Sequence, residues 1–160
     1  MTNLLDLLNE NAQLTAAQIS VMLNQPEEKI ISQIREYEEK GIIKGYKALI
    51  NWDKIPKAKV SALIELKVTP KRDTGFDEIA KRVMMFDEVE SVYLMAGVYD
   101  LAVMVNGSTI QDIAMFVSRR LSTLESVLST ATHFLLSRYK DGGVILVEDE
   151  ENEDKRSMVL

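Results

Sequence analysis

The hydrophobic period of this chain changes once, near residue 60, and that change constrains the fold more than any other feature. Before it, apolar residues recur every three or four positions, the spacing of one helix face. After it, Val60, Ala62, Ile64, Leu66 and Val68 alternate with Ser61, Leu63, Glu65 and Lys67, the spacing of a strand, ended by Thr69-Pro70. A helical part followed by a part containing a sheet makes the expected fold class α+β.

The first fifty residues hold three short helical patterns. Leu4, Leu5 and Leu8 fall on one face after Thr2 or Asn3 and predict a brief helix ending near Asn11. Thr15-Ala16-Ala17-Gln18 has the spacing of a capping box, so a second helix starts there. Ile19, Met22 and Leu23 form its stripe, and Asn24-Gln25-Pro26 interrupts it, with Pro26 suited to the first position of a third helix. In that helix Ile30, Ile34, Tyr37 and Gly41 recur at i, i+4, i+7 and i+11, leaving Glu28, Lys29, Ser32, Arg35, Glu36 and Glu39 outside. Two helices joined by a tight turn and preceded by a third form a helix-turn-helix candidate. Gly41 suits the helix cap, and residues 42–50 read as two short strands hinged near Lys44-Gly45, a β-wing.

Residues 51–59, with Trp52, Pro56 and three lysines, read as a linker between a winged helix-turn-helix domain at 1–50 and a second domain at 60–147. In the second domain Phe76, Ile79, Ala80 and Val83 mark a helix started near Asp73-Thr74. Strands follow at about 89–95 and 101–106, around the turn Ala96-Gly97-Val98-Tyr99-Asp100. Ser108-Thr109-Ile110-Gln111 offers another capping box, and Ile110, Ile113, Ala114, Val117 and Leu121 share one face of a second helix. Residues 127–136 make the last strand. The order βαββαβ is the ferredoxin-like arrangement, an antiparallel sheet with both helices on one face. Leu63, and Leu128, Phe134 and Leu136 opposite Val127, Ala131 and Leu135, put apolar residues on both alternations, so the other face is expected to bury against a second copy.

Charge sharpens this division. The net is −6, but residues 1–50 carry −2, residues 51–147 are neutral, and residues 148–160 carry −4. That last segment has no apolar face to bury and is expected to be a solvated, disordered acidic tail. The composition, 46% hydrophobic and 28% charged, is ordinary for a globular protein, and no unbroken apolar run reaches the ~20 residues of a spanning helix. With no cysteine and no signal-peptide pattern at the N-terminus, a cytoplasmic protein without disulfides or thiol chemistry is expected.

The chemistry of catalysis is missing from the sequence. His133 is the only histidine and falls within the last predicted strand, and no metal-ligand spacing of His and Cys occurs. The glycines at 41, 45, 75, 97, 107, 142 and 143 spell neither a phosphate-binding loop nor a dinucleotide fingerprint. The acidic tail lacks the spacing of a calcium loop. No enzyme activity, cofactor or metal is expected.

Asn11-Ala12-Gln13-Leu14-Thr15, Gly41-Ile42-Ile43-Lys44-Gly45-Tyr46 and the Gly97-Val98-Tyr99-Asp100 turn, in that order and spacing, resemble the leucine-responsive/asparagine-synthase (Lrp/AsnC) family of transcription regulators over about residues 3–140. The resemblance implies a DNA-binding first domain. It implies a second, regulator-of-amino-acid-metabolism domain that forms dimers and higher assemblies, an octamer among them, and binds an amino acid between subunits. It also implies that the helix from about Glu27 to Lys40 enters the major groove. Members commonly carry Ser-Pro at that helix start and several arginines along it, whereas this chain has Pro26-Glu27-Glu28-Lys29. Glu27 and Glu28 favour the helix dipole by ~0.3–1 kcal/mol each at low salt and repel phosphate. The DNA-facing candidates are Lys29, Ser32, Gln33 and Arg35 on the helix, with Lys40, Lys44 and Lys47 toward the wing.

For the turn, two readings stand. In one, Gly97 supplies a positive φ and Asp100 caps the loop by bonds to its own backbone. In the other, implied by the family, Gly97, Val98, Tyr99 and Asp100 border an amino-acid pocket at a subunit interface, with Met95 and Met104 lining it. The expected function is a DNA-binding transcription regulator whose oligomeric state and DNA binding respond to a small amino acid. The alternative is an amino-acid-binding or scaffold oligomer with weak or lost DNA affinity.

Overall fold

Asn3 accepts a hydrogen bond from the Asp6 amide at 3.0 Å while its own amide donates to the Asp6 carboxylate at 3.1 Å, so α1 (Leu4–Glu10) begins on a reciprocal cap. The computed structural model describes residues 3–56, 59–70 and 75–147, and the chain divides between Ile50 and Asn51 into two compact units. The tail at 148–160 and the predicted helix start at Asp73-Thr74 lie outside the described residues.

In the first unit α2 (Ala16–Leu23) starts on the predicted Thr15–Gln18 box. Asn24, left-handed at φ 50°, turns the chain, and the Ser20 hydroxyl closes the turn by donating to the Gln25 carbonyl at 2.5 Å. The third helix, α3 (Glu27–Glu39), has Pro26 at its N-cap, one position before the expected place. Leu4, Leu7, Leu8, Ile19 and Ile30 form the core, with Leu14, Leu23, Ile34, Tyr37 and Ile43 against it. Met22 does not join them and is exposed, because the buried stripe of α2 runs through Ala16, Ile19 and Leu23. At the end of α3, Gly41 at φ 67° lets its amide reach the Glu38 carbonyl at 3.0 Å and the Ile42 amide reach Tyr37 at 2.8 Å, satisfying two end carbonyls.

The predicted wing is corrected: residues 42–50 form no strands. Gly45 is not left-handed, so no hairpin reversal occurs at Lys44-Gly45. Ile43 packs into the helical core while Ile42, Tyr46, Leu49 and Ile50 stay exposed, which is not the alternation of a paired strand.

In the second unit a single 3-10 turn, Trp52–Lys54, precedes the predicted order: β1 (Val60–Val68), α4 (Asp77–Val83), β2 (Val89–Leu94), β3 (Leu101–Gly107), α5 (Ile110–Phe116) and β4 (Val127–Phe134). The strands lie in the order β2-β3-β1-β4, each pair antiparallel. Ala62, Ile64, Leu66, Val103 and Val105 face α4 and α5 across a core that includes Ile79, Val83, Ile113, Phe116 and Leu121. The cap of α5 falls one residue later than predicted: Thr109, not Ser108, accepts from the Asp112 amide at 3.1 Å. The buried stripe of α5 runs through Ile113, Phe116 and Val117 at i, i+3 and i+4, which leaves Ile110 and Ala114 exposed, and a π turn (Val117–Leu121) follows.

The sheet side away from the helices is more polar than the sequence implied. It carries Ser61, Glu65, Lys67, Asn106 and His133 alongside Leu63, Met104, Ala102 and Ala131. A register shift at Lys67/Val68 changes the alternation of β4, so Val127 and Phe134 both pack on the helix side rather than on opposite faces. Leu128 and Leu136 remain exposed. Beyond β4 a short hairpin, β5 (Lys140–Asp141) with β6 (Val144–Ile145), turns on Gly142 and Gly143, both at positive φ.

Candidate nucleic-acid interface and effector loop

The tight turn between α2 and α3 leaves one side of α3 in solvent. Glu28, Lys29, Ile31, Ser32, Arg35, Glu36 and Glu39 are exposed there, opposite Ile30, Ile34 and Tyr37. Of the predicted contacts, Lys29, Ser32 and Arg35 lie together on this face, with i, i+3, i+6 spacing, and offer cations for phosphate and a hydroxyl for a base edge. Gln33 is half-buried on the flank. Three carboxylates share the face, so its charge balance is one negative.

The other lysines are placed differently. Lys40 donates to the Glu36 carboxylate at 2.5 Å, and that hydrogen bond and the attraction of the two charges hold its pKa above the usual lysine value. Lys44 folds back over the end of α3: a Cβ at Gly41 would stand 2.6 Å from its Nζ. The ammonium is thus set near the negative end of the helix. Lys44 and Lys47 also line a groove of about 550 Å³ beside Leu5, Leu8, Ala12 and Tyr46. The Tyr46 hydroxyl donates to Glu38 at 3.1 Å, and its pKa is raised, first by partial burial and then by that bond.

In the second unit the loop 95–100 joins β2 to β3. Gly97 is not left-handed, and a Cβ there would meet nothing within 4 Å, so the expected positive φ is absent. Asp100 does not cap its own loop. Its carboxylate accepts from the Val68 amide at 2.8 Å, and its amide donates to the Leu66 carbonyl at 2.9 Å. Val98 is 88% exposed at the tip, while Met104 sits farther along β3, opposite Leu63. The loop therefore presents Gly97 and Val98 outward from a base fixed by Asp100. The sequence reading missed a second polar feature, the side chains of Ser61, Asn106, Arg138 and Glu90 joined across the sheet. Ser61 and Asn106, polar and opposite each other in register, were its available signal.

A helix-turn-helix unit followed by a ferredoxin-like sheet with an exposed β2–β3 loop is the architecture of a ligand-responsive transcriptional regulator. The chain belongs to the Lrp/AsnC family: residues 61–145 match the Lrp/AsnC ligand-binding domain. It is 45% identical over 159 residues to the HTH-type transcriptional regulator YugG of Bacillus subtilis (strain 168), covering 99% of this chain and 95% of that protein. A proline dehydrogenase transcriptional activator of Rhizobium radiobacter is 24% identical over 141 residues, 88% of this chain and 90% of that protein. Among solved structures, the transcriptional regulator NMB0573 of Neisseria meningitidis, in complex with L-Met, shares the fold with a TM-score of 0.69 at 22% identity, over 86% of this chain and 88% of that one. The relatives are named as regulators of transcription, not as enzymes. No helix among the described residues is long and apolar enough to cross a membrane.

Proposed function

We infer that this HTH-type transcriptional regulator binds DNA through the outer face of α3, acting as a cytoplasmic homo-oligomer whose assembly a small amino acid shifts. The domains are those read from the sequence: DNA binding at 1–50, a linker at 51–59, and assembly with effector binding at 60–147. The carrying observation is the exposure of Lys29, Ser32 and Arg35 on one face of the second helix of a helix-turn-helix. Lys44 and Lys47 flank that unit and add phosphate contacts, with Gln33 and Lys40 as minor ones.

The effector reading rests on family membership, on the exposed Gly97–Val98 tip of the β2–β3 loop, and on the methionine held by the Neisseria regulator. Its mechanism is linkage: a ligand that binds one assembly better than another changes how many α3 helices engage an operator together. Solution mass measured with and without L-methionine and a panel of other amino acids tests it. A ligand-dependent change of mass is expected; an assembly indifferent to all twenty contradicts the reading. Glu28, Glu36 and Glu39 favour a second reading, a regulator-like oligomer with weak DNA affinity, because they share the face that meets phosphate.

A further inference from the structure

We propose that the acidic segment 148–160 docks in the groove of the first unit of its own chain, with its carboxylates on Lys47 and Lys44 and its apolar end, Met158-Val159-Leu160, against Leu5, Leu8 and Ala12. The contact is autoinhibitory, because it occupies two of the lysines assigned to phosphate. That consequence rests on the DNA reading above, whereas the docking itself does not.

The groove of about 550 Å³ is lined only by residues of the first unit, from α1 and the stretch after α3. Its charged lining is two cations, Lys44 and Lys47, against one carboxylate, Asp6. It is therefore a positive place in a unit whose net charge is −2. Both lysines are exposed, and although Lys47 has an interaction of its own in the fold, an ammonium has three donors and can serve a further carboxylate. The segment from Glu148 to Asp154 supplies six carboxylates in seven residues. Lys155-Arg156 follow with the opposite sign, and then Met158-Val159-Leu160. Without a periodic apolar face to fold on, those three residues can leave water only against an apolar surface that already exists. The order of chemistry along the segment matches the groove: carboxylates for Lys47 and Lys44, cations for Asp6, and apolar side chains for Leu5, Leu8 and Ala12.

The place where the segment begins brings it within reach. The Asn51 side-chain amide donates to the Leu146 carbonyl at 2.8 Å, and the Leu146 amide donates to Tyr139 at 2.9 Å, so the chain is fastened beside Asn51 just before the acidic run. Lys47 precedes Asn51 by four residues, a span of at most ~14 Å. Past Leu146, Glu148 is reached in two residues, ~7 Å of extended chain, and Asp154 in eight, ~28 Å. Chain length alone therefore allows the carboxylates to meet Lys47 and Lys44. A tether this short holds the segment near the groove at an effective concentration of order millimolar, enough to populate a contact that would be weak between separate molecules.

Disulfide trapping on the full chain tests the docking, since the chain has no cysteine of its own. Met158→Cys is combined with Ala12→Cys in the groove or, as a control, with Val21→Cys on the exposed side of α2. In dilute oxidant at low salt the Ala12 pair is expected to close an intrachain disulfide at least tenfold faster than the Val21 pair. That advantage should vanish at high salt, and also when Glu148, Asp149, Glu150 and Glu151 are changed to Gln or Asn. Asn9→Cys, exposed and also lining the groove, replaces Ala12→Cys if the latter does not fold. Equal rates in the two pairs would overturn the docking, as would an advantage untouched by salt and by neutralisation. Covalent dimers in place of the intrachain bond would overturn it too, giving the groove to a neighbouring copy. Added genomic DNA is expected to slow the trap at least threefold, and DNA that binds without slowing it would overturn the autoinhibition. Absence of DNA binding in every variant would contradict the DNA reading, with the docking still decided by the two rates.

Discussion

The Asp100 carboxylate holds the Val68 amide at 2.8 Å, while the Asp100 amide donates to Leu66 at 2.9 Å, so the last residue of the β2–β3 loop is fastened to the end of β1. A side chain committed in this way fixes where the loop ends, and Gly97 and Val98 are exposed ahead of it. Asp100→Ala leaves the Val68 amide without its partner and is expected to lower stability by about 1–3 kcal/mol in urea denaturation. Asp100→Asn, which keeps an acceptor oxygen, should cost less. Equal stability of all three proteins would show that the bond contributes nothing.

Gly41 and Gly97 are expected to respond oppositely to alanine. Gly41 is at φ 67° with the Lys44 ammonium against the place of a Cβ, so Gly41→Ala should lose about 1 kcal/mol or more of the first unit's stability. Gly97 has an ordinary φ and open space, so Gly97→Ala should stay within about 0.5 kcal/mol of wild type. A change in solution mass for Gly97→Ala without a change in melting would place the loop at a contact between copies.

The first unit is expected to weaken in alkali. Tyr46 has its pKa raised, first by burial and then by its bond to Glu38, and Lys40 has its pKa raised by Glu36. A raised folded pKa gives stability that is whole below the unfolded value, near 10 for both groups, and is lost as pH rises through the folded value. Denaturation midpoints should therefore be level from pH 7 to 9 and fall above about 10. Tyr46→Phe should shrink that fall, and an identical alkaline limb in the variant would remove Tyr46 from the account.

Much of this fold was legible in the chain because short-range rules decide it. The Thr15–Gln18 cap, the Asn24 turn, the Gly41 stop and the alternation of β1 follow from local chemistry, and all are present. What was not legible depends on register and on distant partners. The shift at Lys67/Val68 reversed the faces assigned in β4, and the bulge at Glu90 joined a carboxylate to Asn106. Likewise Lys29, Ser32 and Arg35 follow from helical spacing, whereas the engagement of Lys40 by Glu36 and of Asp100 by Val68 depends on side-chain geometry.

The acidic segment 148–160 carries four of the chain's six net negative charges. A run of carboxylates is expected to compete with phosphate for Lys29, Arg35 and the neighbouring lysines, an effect that salt screens. A chain ending at Val147 is expected to bind DNA more tightly than the full chain at low salt, with the difference shrinking as salt rises. Equal affinities at low salt would refute the competition.

The most direct measurement is operator binding by the wild type, Arg35→Ala and Glu39→Gln across a series of salt concentrations, on fragments selected from genomic DNA. A face of α3 that meets phosphate predicts steep salt dependence in the wild type, weaker binding with a slope smaller by about one in Arg35→Ala, and tighter binding in Glu39→Gln. Identical affinity and salt slope in all three proteins, or no binding to any fragment at low salt with the oligomer intact, would contradict DNA recognition through this helix.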